Sequence, residues 1–82
     1  MCLGIPGRIV EILDAEKHFG RAEILGSTRP VQLGMLEPEV IQIGIWVLIN
    51  AGWAVQLLEA DEASEILHFI TTLEQHYEEE QP

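Results

Sequence analysis

Cysteine is the most reactive residue type in this 82-residue chain, and it occurs once, at Cys2. It lies in the stretch MCLGIPGR, just ahead of Gly4, Pro6 and Gly7. A thiol at such a position adds little packing, because terminal residues are usually loosely held. A thiolate, in contrast, binds soft metals and exchanges ligands readily. We therefore expect Cys2 to contact a metal or a partner protein; the alternative is an incidental second residue.

The remaining candidate groups do not form a catalytic or metal-binding pattern. His68 and His76 would lie about 80° apart around a helix, so they do not converge on one ion, and His18 falls in a predicted loop. The sequence contains no Gly-x-Ser-x-Gly stretch and no phosphate-binding loop. Nothing in the sequence supplies a base for Cys2 as a hydrolytic nucleophile. We therefore predict that the chain is not an enzyme.

The charge balance restricts the possible partners. Asp and Glu number 14 against 4 Lys and Arg, which gives a net charge of -10. Such a surface repels phosphate backbones and anionic membranes, so neither nucleic acid nor a membrane is expected as a partner. A single cysteine cannot form an internal disulfide, which fits a reducing compartment. Because Glu11 and Asp14 interrupt any apolar signal segment, a soluble cytoplasmic protein is expected.

Five short segments are predicted to be β-strands, because they are rich in β-branched and apolar residues and are separated by turn or loop signals. Gly26-Ser27 predicts a hairpin turn, and Ala51-Gly52 separates the last two strands. Pro30 cannot donate to a sheet ladder, so its strand is expected at an edge or a bulge. The predicted strands span residues 5–13, 21–25, 28–33, 45–50 and 53–58.

The connecting segments and the last two strands carry further information. Residues 14–20 are polar and predict a loop, and residues 34–44 predict a loop with a short helical turn at Pro38. Residues 45–50 and 53–58 are apolar without alternation, which is typical of strands covered on both faces. The C-terminal segment or a binding partner would have to supply that cover.

From Ala60 the apolar residues recur at three- and four-residue steps, which predicts an amphipathic helix. Acidic residues crowd its first turns, where they favour the positive end of the helix dipole. We expect a mainly β, OB-fold-like barrel of about five strands with a C-terminal α-helix. It would form a single domain over 1–82, divided into a barrel at 1–58, a helix at 59–77 and a frayed acidic tail at 78–82.

Two motifs carry a family resemblance. The stretches MCLGIPGR and GIWVLINAGWA, followed by an amphipathic helix, resemble the hydrogenase assembly chaperones of the HypC/HupF family, including the HybG-like members. That family begins with Met-Cys-(Leu/Ile)-(Gly/Ala)-(Ile/Val)-Pro-Gly and later carries Gly-x-Trp-Val-Leu-Val-His-x-Gly-Phe-Ala. Trp46, Gly52 and Ala54 match the second motif. The resemblance extends over essentially the whole chain.

The resemblance implies a non-enzymatic chaperone for maturation of [NiFe] hydrogenases. It implies two partners, the iron-sulfur protein HypD and the precursor of the hydrogenase large subunit, and delivery of an Fe(CN)2CO group. No tightly bound cofactor is implied, and iron would be held only transiently, at Cys2, which corresponds to the family's essential cysteine. The residues expected to bind partners are Cys2, Leu3, Gly4, Ile5, Pro6, Gly7, Asn50 and Trp53.

Two positions depart from the family pattern. Asn50 stands where the family usually has histidine, and Trp53 stands where it has phenylalanine. An amide is a poor ligand for soft low-spin iron, so an iron site made by a cysteine and a histidine is not expected here. Asn50 remains able to hydrogen-bond a cyanide or the Cys2 backbone; the alternative is a divergent branch serving one particular hydrogenase.

Some alternatives stay open at the level of sequence. For Trp46 and Trp53 we expect core packing, with partner contact as the alternative, because large aromatics dominate small cores. An OB-type oligonucleotide-binding module is the main alternative function, although it requires a positive groove and the chain has only 4 basic residues. A thiol-dependent redox adaptor acting through Cys2 is a third.

Overall fold

The computed structural model describes residues 4–80, and the side chains of residues 4–73. The chain forms five β-strands followed by one long α-helix, as the sequence predicted. Between the third and fourth strands it makes a single turn of 3-10 helix. The elements are β1 (Ile5–Ile12), β2 (Phe19–Ile24), β3 (Ser27–Gln32), the 3-10 helix (Pro38–Val40), β4 (Trp46–Asn50), β5 (Trp53–Leu58) and α1 (Ala60–Glu80).

The strands close into a barrel in the order β1-β2-β3-β5-β4, with β4 paired to β1. The predicted five-strand barrel is therefore confirmed. All neighbouring strands are antiparallel except β3 and β5, which are parallel and pair in register at Gln32 and Trp53. Pro30 lies farther back along β3, where the described ladder runs only toward β2, so its predicted edge position is confirmed.

Strand β1 is long enough to serve two neighbours. Its first half, from Ile5 to Arg8, pairs with β4, and its second half pairs with β2. The register shifts between Ile9 and Glu11, which marks a bulge. A bulge bends a strand and increases its local twist. The bend allows one strand to contribute to both sides of a small closed barrel.

The barrel interior is filled by small and branched aliphatic side chains. They come from alternate positions of the strands and from the segment between β3 and β4, and each is at most 8% exposed. Burial of a branched aliphatic side chain stabilises the fold by roughly 1.5–3 kcal/mol, so this cluster is its main source of stability. The cluster consists of Ile9, Ala22, Val31, Leu33, Ile41, Val47, Ile49 and Ala54.

Lys17 fixes the long connection between β3 and β4 to the barrel. Its Nζ donates hydrogen bonds to the carbonyl oxygens of Pro38, at 3.1 Å, and Ile41, at 3.0 Å. The loop that carries Lys17 is itself ordered by Asp14, whose Oδ1 accepts hydrogen bonds from the backbone amides of His18 and Phe19. The predicted short helical turn in this connection is confirmed by the 3-10 helix.

Helix α1 begins with one half of a capping box, followed by the first backbone hydrogen bond of the helix. The backbone amide of Glu59 donates to Oε1 of Glu62 at 2.9 Å, and the amide of Ala63 donates to the carbonyl of Glu59 at 3.0 Å. The helix contacts the outside of β1 and β4. Ala63 is fully buried at this contact, and Leu58 is 7% exposed. The molecule measures 50 × 22 × 21 Å, so the far part of the helix extends beyond the barrel.

Several predicted boundaries are wrong, among them those of β2, the first hairpin turn and α1. Strand β2 begins at Phe19, inside the predicted loop 14–20, because the register pair with Gln32 extends the ladder by two residues. The first hairpin turn lies at Leu25-Gly26, one residue earlier than predicted. Helix α1 continues to Glu80 rather than ending at Tyr77. Glutamate has a high helix propensity, so the acidic run extends the helix instead of ending it; the last two residues of the predicted tail 78–82 lie outside the described residues.

Within residues 4–80, no helix has the combination of length and apolar character needed to cross a bilayer.

Candidate functional site

Gly4 lies where the segment carrying Cys2 joins the barrel. Its φ is +100°, and a Cβ on it would meet the carbonyl oxygen of Ile49 at 2.7 Å and Cγ of Leu48 at 3.2 Å. The nearest obstacle is backbone of β4, which cannot turn aside as the end of a flexible side chain can. Only glycine therefore fits this close approach in this conformation. Gly4 seats the incoming chain directly on β4. Cys2 and Leu3 lie outside the described residues.

Pro6 and Gly7 lie within the fold. Pro6 is less than 2% exposed and pairs in register with Leu48. Gly7 is buried, and a Cβ on it would meet Cδ1 of Ile49 at 2.6 Å and Cγ1 of Ile24 at 3.1 Å. Their positions mean that these two residues hold β1 in place and offer no surface to a partner in this conformation.

Asn50 and Trp53 belong to an exposed hairpin beside Gly4 and Ile5. Ile5 pairs in register with Ile49, so the start of β1 lies next to the end of β4. Asn50 follows directly and pairs with Trp53 across the turn. The φ values of Ala51 and Gly52, 55° and 85°, are typical of a type I′ hairpin turn. The structure therefore brings together Gly4, Ile5, Asn50 and Trp53 at one end of the barrel.

An aromatic residue that the sequence did not single out lies on the same row of paired residues, beside the end of β1, where the backbone amide of Leu13 donates to the carbonyl of Phe19 at 2.9 Å. Gln32 pairs in register with Phe19 on one side and with Trp53 on the other. The backbone amide of Gln32 donates to the backbone carbonyl of Gly52 at 2.8 Å. Residues paired in register point to the same face of a sheet. Phe19, Gln32, Trp53 and Asn50 therefore form a continuous row across four strands, which we call the aromatic row.

The aromatic row is open to solvent. Phe19 is 46% exposed and Trp53 is 36% exposed. Aromatic side chains on an open surface favour protein contact, because they bury a large area with little loss of rotamer freedom. Exposed Phe19, Arg21 and Glu23 alternate with buried Gly20 and Ala22. The same alternation of large and small residues is visible in the sequence and could have placed Phe19 on β2.

The prediction that both tryptophans pack in the core is wrong. Trp46 is half-buried and lies on the outside of the barrel. It pairs with Leu58 on one side and with the exposed Arg8 on the other. Trp53 is also outside, next to Gly34. The interior positions of β4 and β5 are taken by the smaller Val47, Ile49 and Ala54, because a five-strand barrel has no room for an indole.

Neither ion pair among the described side chains includes a residue of the hairpin or of the aromatic row. The ion pairs are Arg21 with Glu11, at 3.4 Å, and His18 with Glu16, at 3.9 Å, and both are exposed. Among the residues whose side chains are described, no three His, Cys, Asp or Glu are grouped so that they could hold a metal ion. No polar or charged side chain is buried in that same part of the chain.

The fold is a small β-barrel whose first strand begins beside an exposed hairpin, with an aromatic row across four of its strands. The HupF/HypC family matches residues 1–70, and the chain belongs to that family. The resemblance predicted from the two motifs is confirmed.

Curated relatives agree with this assignment. The chain is 36% identical over 75 residues to the hydrogenase maturation factor HypC of Rhodobacter capsulatus, covering 89% of this chain and 78% of the relative. It is 33% identical over 81 residues to HypC of Helicobacter hepaticus, covering 99% and 91%. It is 29% identical over 70 residues to the maturation factor HybG of Escherichia coli K12, covering 82% and 84%.

Proposed function

We propose that the chain is a [NiFe] hydrogenase maturation chaperone that binds HypD and the precursor of the hydrogenase large subunit and helps to deliver the Fe(CN)2CO group. Its role is to bind and present, without catalysis of its own. The family match over residues 1–70 supports the general function. The partners and the cargo come from the motif resemblance and are the part that experiment must test.

The observation that carries the proposal is the close packing of Gly4 against β4. Cys2 is two residues before Gly4, so its Cα lies within about 7 Å of the Gly4 Cα by covalent geometry alone. Gly4 is in turn in contact with the Ile49 backbone, directly before Asn50. In this proposal the thiol stays within reach of the exposed hairpin, so that a partner bound to the hairpin also contacts the sulfur.

The chemistry follows from the residue types of the proposed site. A thiolate is a soft ligand that can take iron from one site and release it to another. Asn50 is exposed and, as an amide, can donate to a cyanide nitrogen or accept from a backbone amide. Phe19 and Trp53 supply apolar area for a protein partner. In this proposal Cys2 holds the iron group transiently, and the aromatic row provides most of the protein contact.

The proposal is tested by co-purification of the affinity-tagged chain with HypD and with the large-subunit precursor. Infrared spectroscopy of the purified complex should show cyanide and carbonyl bands for the wild type. Cys2→Ser keeps the size of the side chain but removes the soft ligand, so it should retain the fold and lose those bands. Bands of equal intensity in Cys2→Ser would remove the cysteine from the mechanism.

A further inference from the structure

A groove lies between helix α1 and the outside of the barrel. It has a volume of about 410 Å³, within the roughly 300–1,000 Å³ common for ligand pockets. Its apolar surface comes from β4 and β5 on one side and from α1 on the other. Gly4 lies in its lining. The lining residues that contribute this surface are Gly4, Leu48, Leu58, Ile66 and Phe69.

The apolar seam of α1 continues beyond the groove. Ile66, Phe69 and Leu73 recur at steps of three and four residues, which places them on one side of the helix. Phe69 is 63% exposed and Leu73 is 53% exposed. Leu73 shares the apolar period of the helix, yet it is not buried against the barrel as Ala63 is. The seam is therefore an amphipathic helix face without a partner in the described structure.

The polar groups beside the groove are acidic. Glu62 and Glu65 line it together with Gln56. One oxygen of Glu62 accepts the Glu59 amide in the helix cap, which leaves its second oxygen and the whole of Glu65 for other contacts. Neither carboxylate forms an ion pair with a described side chain. A bound segment that carries Lys or Arg would neutralise them.

A second copy of this chain does not have the required charge. Residues 60–80 contain no Lys or Arg, and the whole chain carries -10. Pairing two α1 helices along this seam would bring carboxylates against carboxylates, which is unfavourable. Nucleic acid is disfavoured for the same reason. Charge and shape together point to a protein segment that is basic on one side and apolar on the other.

We propose that the groove and the α1 seam bind an amphipathic, Lys/Arg-containing helix of a partner protein, which lies alongside α1 and inserts apolar side chains between α1 and β4–β5. Recognition of this kind uses apolar anchors at spacings of three and four residues. Because Gly4 lines the groove, the bound helix would end close to the Cys2 segment. The inference deepens the proposed function, on which its biological role rests, but binding itself does not require the thiol.

The test uses the full-length chain and two labelled model peptides. One is an amphipathic Leu–Lys helix, and the other is a Leu–Glu helix with the same leucine spacing. Fluorescence anisotropy measures affinity, and amide chemical shifts locate the binding surface. We expect the Leu–Lys peptide to bind, to shift the amides of residues 62–73 and Gly4, and to bind less tightly as salt is raised. Equal affinity for the Leu–Glu peptide, or shifts confined to other strands, would overturn the proposal.

Variants make the result specific to the seam. Phe69→Ser should weaken binding about tenfold, as expected for loss of a central aromatic anchor. Leu73→Ser should also weaken it, whereas Leu25→Ser should leave it unchanged; these two leucines are matched in exposure, at 53% and 54%. Thermal unfolding checks that each variant folds. Equal losses of peptide affinity in Leu73→Ser and Leu25→Ser would contradict specific binding at the seam. A free chain that sediments as a dimer, and as a monomer once Leu73 is replaced, would show that the seam binds a second copy and would also contradict the proposal.

One further variant separates this inference from the proposed function. Cys2→Ser should bind the Leu–Lys peptide like the wild type even though it fails to carry iron. Lost peptide binding in Phe69→Ser with normal infrared bands would support helix binding in the groove. It would also show that iron delivery does not depend on the groove. Normal peptide binding without infrared bands in the wild type would instead refute the delivery role alone.

Discussion

The two stretches that meet at the working end of the barrel are built in opposite ways. Residues 4–7 are packed against the protein: Gly4 touches the β4 backbone, and Pro6 and Gly7 are buried. Residues 50–53 are exposed, and only their backbone is fixed, by the hairpin pair of Asn50 with Trp53. In the proposed site, residues 4–7 would set the geometry and residues 50–53 would offer the surface. Substitutions in the two stretches should therefore fail in different ways.

The largest effect on stability is expected at Gly7. In Gly7→Val the added side chain overlaps Ile49 and Ile24 inside the barrel. Overpacking of this kind costs about 1–3 kcal/mol, and a β-branched residue with no free space should lie near the upper value. Chemical denaturation measures the loss. Gly34→Val is the control, because a Cβ at Gly34 meets nothing closer than Trp53, at 3.9 Å. A Gly7→Val protein as stable as the control would contradict the close packing of residues 4–7.

Gly4→Ala is expected to displace the segment before β1 while the barrel keeps most of its stability. The added Cβ clashes with the Ile49 carbonyl, and the positive φ costs roughly 1–2 kcal/mol for a residue other than glycine. Because Gly4 precedes the first strand, the segment can lift away and relieve part of this cost. We expect a folded barrel with less than about 2 kcal/mol lost and with HypD binding greatly weakened. Gly26→Ala, which also has a positive φ but open space, should lose stability without losing binding.

Phe19→Ser tests the aromatic row. Phe19 is 46% exposed, so the barrel should lose only about 1 kcal/mol of stability. If the row contacts a partner, affinity for HypD should fall about tenfold, as for other aromatic anchors. Titration calorimetry measures the affinity, and Leu25→Ser provides an exposed apolar control. Equal affinities for the two variants would exclude Phe19 from the interface.

The smallest effect is expected for Asn50→His, which restores the family residue. Asn50 is exposed and makes no side-chain hydrogen bond within the described chain, so stability should change by less than about 0.5 kcal/mol. The imidazole offers a metal-binding nitrogen that the amide lacks. We expect iron to be retained longer during purification, measured as the intensity of the cyanide and carbonyl bands. A large loss of stability would show that Asn50 has a structural role.

Much of the fold could be predicted from local sequence. The β-branched runs and the break at Ala51-Gly52 placed β4 and β5 within one residue of their observed bounds. Pro30 correctly predicted an edge position, and the change in apolar period at Ala60 correctly predicted the start of α1. These features depend on backbone preferences and periodicity, which act over a few residues.

The sequence could not predict which face of a strand points inward. Trp46 and Trp53 have the apolar character of core residues, but register with neighbouring strands places them outside the barrel. Phe19 was assigned to a loop because its strand partner, Gln32, is distant in sequence. The meeting of Gly4 with Ile49 likewise depends on barrel closure. The residue types of the site were therefore visible in the sequence, whereas the row that connects them was not.

The most direct measurement of the central claim is infrared spectroscopy of the chain purified with HypD, made in parallel on wild type, Cys2→Ser and Gly4→Ala. The account predicts cyanide and carbonyl bands in the wild type, none in Cys2→Ser, and strongly reduced bands in Gly4→Ala, with all three barrels folded. Full-intensity bands in Cys2→Ser would contradict it, because the iron group would then be held without the sulfur that the barrel is proposed to present.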